Sequence, residues 1–118
     1  MSNIWEMTNT ALSTLGVTVA ASALIQATPT TDLPDTYITY QVIDMTPEQH
    51  ADNAETLRSE LVQVNIHKRA GLMSLPDVIG AMTAAGFFFY DGREIEYDAV
   101  TRHFGIAFDF EYLRDLNS

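Results

Sequence analysis

Three histidines are the side chains of this sequence best suited to hold a metal ion. They are His50, His67 and His103, and Asp52 lies close to the first of them along the chain. A zinc site needs such side chains to converge from positions with a tight ligand spacing. The histidines fall instead on three separate predicted elements. We therefore interpret them as ordinary surface or strand residues and predict no metal site.

Alternating carboxylates are the second group with possible chemistry. They lie on two predicted strands, at Glu94, Glu96, Asp98, Asp109 and Glu111. General acid–base catalysis uses paired carboxylates in a cleft, with pKa values that differ between the two groups. Carboxylates that alternate with apolar residues along a strand are also typical of the solvated face of a half-buried sheet. The second interpretation is favoured here.

The rest of the sequence carries no signature of catalysis. No serine or threonine lies in a nucleophile elbow, and the glycines form no phosphate-binding run. We predict that the chain is not an enzyme and that it uses no cofactor.

The composition predicts one globular domain that spans residues 1–118. Hydrophobic residues make up 47% of the chain and charged residues 19%, and there is no cysteine. Disulfides and thiolate metal sites are therefore excluded. The N-terminal residues have no basic region of the kind that begins a signal peptide, and the weakly polar run at 17–25 is too short to span a bilayer. We expect a soluble cytoplasmic product.

The strongly acidic balance limits the possible partners. Sixteen acidic and six basic residues give a net charge of −10. Phosphate backbones and anionic membranes repel such a chain, so binding to nucleic acid or membrane is disfavoured. Three interpretations stay open. The charge could serve solubility alone, it could line a passage that DNA crosses without adhering, or it could imitate DNA.

Periodicity predicts helices and strands that combine into an α+β fold. Helices are expected at about 3–15, with Gly16 at the C-cap, and at 75–85, with Ser74 as the N-cap. Strands are expected at 17–19, 37–43, 57–68 and 103–112, with a further strand from 87 that turns at Asp91 and Gly92. We expect a flexible loop at about 20–34. The order predicts a two-layer sandwich, a mainly antiparallel sheet with helices packed on one face.

The last strand shows the clearest alternation in the chain. Every second position of this strand is aromatic or aliphatic, namely Phe104, Ile106, Phe108, Phe110 and Tyr112. These side chains point to the same side of the strand, which predicts an aromatic inner face. Deep burial is expected at Ile66, Ile79, Phe104, Ile106 and Phe108. The intervening positions of the strand, which include His103, Asp109 and Glu111, point to the other side of the strand and are expected to face solvent. A two-residue connection at 99–100 would place Glu96 opposite His103 and Ile95 opposite Phe104.

The connection at about 44–56 is longer and more polar than joining two strands requires. Thr46 and Pro47 resemble the start of a short helix. One interpretation is a tolerated surface loop. The other is a lumen or partner-contact element of an assembly, with the candidate residues Glu48, His50, Asp52, Asn53 and Glu55.

With these elements in place, the sequence resembles the tail-terminator or tail-completion (head–tail joining) proteins of long-tailed bacteriophages. The matching segments are LPDTYITY at 33–40, HADN at 50–53, LVQVNI at 61–66, AAGF at 84–87 and EYD at 96–98 with Thr101. The resemblance rests on the order and spacing of these segments over most of the chain, because each segment alone contains only residues that are common in strands and turns.

The resemblance implies a structural virion protein that forms a hexameric ring. Such a ring terminates the tail tube at its head-proximal end and offers a surface to the head-side connector. The implied partners are further copies of this chain, the tail tube protein and the connector proteins. DNA would pass through without specific binding. The implied location is the virion neck, after assembly in the host cytoplasm.

A second function class stays open beside the first. A small acidic protein can inhibit a host DNA-binding protein by imitating DNA. A mimic needs carboxylates arrayed on one face in the manner of phosphates. The scattered acids, the apolar helix stripe and the bare sheet edges of this chain favour assembly instead.

Overall fold

A computed structural model describes residues 3–21, 33–51 and 54–116, with backbone alone for 49–51. The elements in chain order are α1 (Ile4–Ser13), β1 (Thr18–Ala21), β2 (Thr36–Ala51), β3 (Ala54–Lys68), α2 (Val78–Ala84), β4 (Phe88–Asp98) and β5 (His103–Asp115). The strands form one sheet in the order β1-β2-β3-β5-β4. Every pairing is antiparallel except that of β1 with β2. The predicted α+β fold, with helices on one face of the sheet, is confirmed.

Helix α1 follows from its cap and its apolar spacing. The side chain of Asn3 accepts a hydrogen bond of 2.8 Å from the backbone N–H of Glu6, which satisfies one free donor of the first turn. Ile4, Ala11 and Leu12 lie on one face of the helix and are buried against the sheet. The chain leaves the helix through Gly16, whose φ of +73° favours glycine. The predicted helix is confirmed, with slightly narrower bounds.

Helix α2 begins later than the sequence suggested. Its N-cap is Asp77, which accepts a 3.0 Å hydrogen bond from the N–H of Gly80, so the assignment of Ser74 as the cap is wrong. Pro76 explains the difference, because a proline disfavours helical geometry at the residue before it. Val78 and Met82 are buried, but Ile79 is 37% exposed, and its predicted deep burial is also wrong. Ile79 lies about 100° around the helix from Val78, away from the sheet.

Residues 44–51 and 54–56 form neither a loop nor the start of a helix. They belong to strands β2 and β3, which pair from Thr36 with Lys68 as far as Ala51 with Ala54. Pro47 is tolerated because β1 pairs with β2 only at residues 37–40, and no other strand of the described residues pairs with the outer side of Pro47. Cross-strand pairing therefore overrides the local helix signal. The two strands form a long hairpin arm in a molecule of 52 × 27 × 23 Å.

Strand β5 is buried on both faces. The prediction that one face would be buried and the other would lie in solvent is therefore wrong. On the helix side Phe110 is fully buried, Ile106 and Phe108 are partly buried, and Phe104 is 42% exposed. Burial therefore decreases along this face from Phe110 toward Phe104. Of the residues predicted to be deeply buried, only Ile66 is fully enclosed.

The face of β5 opposite the helices is covered by side chains of neighbouring strands. His103 is 2% exposed and Asp109 is 8% exposed, although both were expected in solvent, and Glu111 is partly buried. Tyr37 of β2 packs edge-on against the His103 ring, at 4.9 Å between centroids. Arg93 of β4 lies 2.9 Å from the Asp109 carboxylate. An inner strand is covered by side chains of both neighbouring strands. The alternation of residue types in the sequence does not show this cover.

The turn before β5 is longer than predicted and shifts the register. Residues 99–102 form the connection, and Asp98 pairs with His103. The carboxylate of Asp98 accepts N–H bonds from Val100 and Thr101 at 2.9 and 3.2 Å, which holds the longer turn. The predicted pairing of Glu96 with His103 is therefore wrong. Likewise Ile95 pairs with Gly105 rather than Phe104.

Three smaller expectations concern segments at 91–92, 17–19 and 20–34. The predicted turn at Asp91 and Gly92 is wrong, because both residues lie inside β4. A β-bulge between Phe89 and Asp91 accommodates the irregular sequence there. The short strand predicted at 17–19 is present as β1. Most of the predicted flexible loop, residues 22–32, lies outside the described residues.

Candidate assembly surfaces

The structure describes the candidate residues of the hairpin arm only in part. Glu48 is exposed in β2, and the backbones of His50 and Glu55 are register partners near the end of the arm. Asp52 and Asn53 lie outside the described residues. The structure therefore places three of the predicted residues on two adjacent strands.

Glu55 is engaged in an ion pair within the arm. Its carboxylate accepts a 2.6 Å hydrogen bond from the guanidinium of Arg58, and its side chain is 20% exposed. The hydrogen bond to Glu55 is the main reason that the pKa of Arg58 is raised. The negative charge of Glu55 is thus balanced locally. Glu48 is the described candidate that presents a carboxylate to solvent.

A buried ion pair lies where the arm meets α1. Nε of Arg114 donates to Glu60 at 2.6 Å, and the two side chains are 10% and 3% exposed. Nη2 of Arg114 lies 3.3 Å from Sδ of Met7, and the guanidinium carbon lies 5.2 Å from the centre of the Tyr112 ring. The sequence carries a signal for this pair. Glu60 and Val62 lie two positions apart on β3, as do Tyr112 and Arg114 on β5, which places both charged side chains on the apolar side of their strands.

Three aromatic rings cluster on the other face of the sheet. Tyr37 stacks on His67 at 4.5 Å, and His67 and His103 are 6.5 Å apart. Nε2 of His103 donates to the carbonyl of Pro34 at 2.8 Å, which ties β5 to the start of β2. Thr39 Oγ1 and His67 Nε2 share a hydrogen bond of 3.1 Å. These contacts assign a packing role to both histidines.

Burial keeps His67 neutral over most of the pH range. Its pKa is lowered to about 4, mainly by burial and secondarily by the neighbouring His103. Burial also raises the pKa of Tyr37, with a further contribution from the charge of Asp98. Among the described residues, no three His, Cys, Asp or Glu side chains converge to hold a metal ion.

The depressed pKa of His67 predicts a loss of stability in mild acid. The unfolded chain binds a proton below about pH 6.5, while the folded chain resists it down to about pH 4. The free energy of unfolding should therefore be largest above pH 6.5. It should fall by about 2 kcal/mol between pH 6.5 and 4, after allowance for the partial exposure of the ring. Urea unfolding at several pH values would measure this loss.

The matched control for this prediction is His67→Gln, which cannot be protonated. Its stability should change less than that of the natural chain across pH 4–6.5. The lowered pKa of Asp98 acts below this window, because a carboxylate with a depressed pKa loses its contribution only at lower pH. Equal pH dependence in the two proteins would contradict the role given to His67.

The predicted carboxylates of β4, Glu94 and Asp98 among them, are not register partners of Asp109 or Glu111 in β5. Glu94 pairs with Ile106, and Asp109 pairs with Asp91, with the guanidinium of Arg93 within reach of both acids. Glu111 accepts a 2.7 Å hydrogen bond from Ser59. Glu94, Glu96 and Asp98 are exposed. The predicted solvated face is therefore confirmed for these three acids of β4 and wrong for Asp109 and Glu111 of β5.

An exposed aromatic patch lies at the start of β4. Phe88, Phe89 and Tyr90, hereafter the aromatic patch, are 59%, 47% and 70% exposed. Strand β4 is last in the strand order, so its outer edge has no strand partner among the described residues. Four consecutive aromatic residues at 87–90 marked this region in the sequence. The sequence did not show that only Phe87 is buried.

An apolar cleft separates the two helices. It has a volume of about 410 Å³. Its lining consists of small or uncharged side chains, Met7, Thr10, Ala11 and Thr14 of α1 and Ala81, Ala84 and Ala85 that end α2. This is the alanine-rich side of the second helix, hereafter the interhelix cleft. The sequence showed the alanines, but not that α1 would lie beside them.

Comparison of the sequence with protein-family models and with curated proteins gives no match to either. In the described part of the chain, neither helix has the length and apolar character needed to cross a membrane.

Proposed function

We propose that this protein is a structural virion protein that forms a ring at the head-proximal end of a phage tail. In this role it terminates the tail tube and joins the tail to the head connector. The observation that carries the proposal is a sheet with two unlike open edges, β1 and β4, among the described residues. Unlike surfaces on one subunit support head-to-tail contacts, which close into a ring when the rotation allows.

The exposed aromatic patch supports assembly rather than a monomeric role. Large apolar side chains grouped on a surface are typical of sites where proteins meet. Phe89 is held in place by Phe108 and Phe110, with ring centroids 6.0 and 5.8 Å away. A contact made by a side chain that is already ordered loses less conformational entropy on binding.

The net charge supports a passage for DNA in such a ring. Six copies at −10 each give a total of about −60 before counterions and partners are added. Carboxylates turned toward the passage would repel phosphate and keep DNA from adhering as it moves through. Glu48 on the hairpin arm is the described candidate for this position. The same arm could instead contact a neighbouring protein from outside the ring.

The DNA-mimic alternative gains no support from the arrangement of the acids. Among the described residues, arginines hold five carboxylates in ion pairs, namely Asp35, Glu55, Glu60, Asp91 and Asp109. They are distributed along the sheet rather than in one phosphate-like row. A mimic would present its charge outward and unpaired.

Removing the chain from a phage that encodes it would test the proposed function. We expect filled heads and separate tails that fail to join, with tails of irregular length, because nothing terminates the tube. Supply of the natural chain in trans should restore joined particles. Joined, infectious particles in the absence of the chain would contradict the proposal.

A further inference from the structure

We infer that strand β4 accepts an extended, basic segment of another protein as a further strand along its outer edge. The partner is a different protein, so this contact goes beyond the proposed ring and does not rest on it. Strand β4 is last in the strand order, and its outer edge has no strand partner among the described residues. Every second residue of such an edge strand points its backbone N–H and C=O outward, where they can pair with an added strand.

The exposure of β4 on both faces points to strand addition. Ten of its eleven residues are exposed and the other is partly buried. Phe88 and Phe89 lie on opposite faces of the sheet, since their register partners are Glu111 and Phe110. A protein docked on one face of the sheet could cover only one of these two rings. A strand added beside β4 carries side chains on both faces and can contact both rings.

The middle of β4 has the geometry that an added strand requires. Its pairing with β5 is continuous from Asp91 to Ile95, between two irregularities in the register. The strand contains no proline, so each of its residues has a backbone N–H to donate. Its 11 residues span roughly 35 Å, whereas β1 at the other edge has four residues. A long exposed edge is a template for pairing with another chain.

Charge determines which strand can occupy this edge. Strand β4 has four carboxylates and one guanidinium, namely Asp91, Glu94, Glu96, Asp98 and Arg93. The guanidinium is already within ion-pair distance of Asp91 and of Asp109 in β5. Glu94 and Glu96 are exposed and form no ion pair with another described residue. Lysine or arginine side chains of an added strand would supply the missing cations.

The same charge disfavours other occupants of the edge. Two copies paired through β4 would bring together two strands with a net charge of −3 each, and like charges opposite each other destabilise a sheet. The whole chain carries −10, which also repels the phosphates of nucleic acid. A segment rich in lysine or arginine is therefore the partner that this edge fits.

A synthetic peptide tests the edge directly. The probe has eight residues of alternating lysine and valine with blocked ends, and it is mixed with the full chain. We expect saturable binding that protects alternate backbone amides of residues 91–95 from hydrogen exchange, because those N–H groups point toward the added strand. NMR spectroscopy measures both effects. Absence of binding, or protection confined to the hairpin arm or the interhelix cleft, would overturn the inference.

Two control peptides separate strand addition from a general attraction of charges. Glutamate in place of lysine reverses the charge of the peptide and should abolish binding. N-methylation of two adjacent central residues removes one N–H from each edge of the peptide and keeps its charge. We expect this change to weaken binding by about tenfold, as the loss of a backbone hydrogen bond does. Equal affinity of the methylated and unmethylated peptides would refute strand addition.

A charge reversal in the protein provides a second, independent measurement. Glu94→Lys with Glu96→Lys should weaken binding of the lysine peptide by about tenfold or more and allow the glutamate peptide to bind. The matched control is Asp44→Lys with Glu48→Lys, which changes the net charge equally at two exposed residues of β2. The control should keep most of the natural affinity, and circular dichroism should show that both variants fold. Equal affinity of the two variants for the lysine peptide would contradict the inference.

The outcomes separate this contact from the proposed function. A ring in the virion neck formed by a chain that does not bind the lysine peptide would leave the function standing and refute the contact. Binding of the peptide at β4 by a chain that is absent from the virion would leave the contact standing and refute the function.

Discussion

Glu60→Leu is expected to lower the free energy of unfolding by about 3–5 kcal/mol. The carboxylate of Glu60 and the guanidinium of Arg114 meet at 2.6 Å with side chains only 3% and 10% exposed. Leucine removes the anion and leaves the guanidinium buried with Met7 and Tyr112 beside it, neither of which carries a compensating charge. Urea unfolding followed by circular dichroism would measure the loss.

Glu55→Leu is the matched control for this prediction. Its partner Arg58 is 34% exposed, so water can solvate the guanidinium when the carboxylate is removed. We expect that control to cost about 0–1 kcal/mol. The double variant Glu60→Leu with Arg114→Met should recover most of the lost stability, because it leaves no buried charge. A Glu60→Leu variant as stable as Glu55→Leu would show that the Glu60–Arg114 pair is solvated.

Phe110→Ala is expected to lower the free energy of unfolding by about 3–5 kcal/mol. Phe110 is fully buried, packs against Phe89 and pairs across the sheet with Val62. Truncation to alanine removes the buried ring and leaves a cavity that the rigid sheet cannot close. The measurement is again the free energy of unfolding.

Phe104→Ala supplies the comparison on the same strand face. Phe104 is 42% exposed and contacts Tyr97 at 4.6 Å between ring centroids. Since much of the ring already lies in solvent, we expect less than half the loss seen for Phe110→Ala. Equal losses would mean that the helices cover the face of β5 evenly and that the gradient in burial is wrong.

The order of the elements was predictable because it depends on local periodicity. The alternation of β5, the end of α1 at Gly16 and the strands around Ile38 and Val64 each have a signal within a few residues. These signals determine the α+β fold and the antiparallel pairing. They do not determine how far a layer of helices extends over a sheet, which is why Phe104 was expected to be buried.

The errors arose where distant residues compete with local signals. Thr46 and Pro47 resemble a helix start, but pairing of β2 with β3 extends through them to Ala51. The carboxylate of Asp98 accepts hydrogen bonds from the N–H groups of Val100 and Thr101, and these bonds hold a longer turn before β5. The longer turn shifts the register of β4 with β5, which the sequence does not show. Burial of His103 depends on Tyr37, which is far away in sequence.

The assembly surfaces were predictable only in part. The projecting character of the 44–56 segment was visible in its length and polarity, although it projects as a hairpin and not as a loop. Glu55 was selected as a candidate lumen or partner-contact residue, but its pairing with Arg58 depends on strand geometry at the arm. The aromatic patch and the interhelix cleft could be recognised only once the positions of β4 and of both helices were known.

Cryo-electron microscopy of the neck of purified phage particles that encode this chain would test the central claim most directly. The account predicts six copies in a closed ring between the tail tube and the head connector. The hairpin arm, with Glu48, should line the passage or contact a neighbouring protein. Absence of the chain from the neck, or a single copy bound at one side of it, would contradict the account.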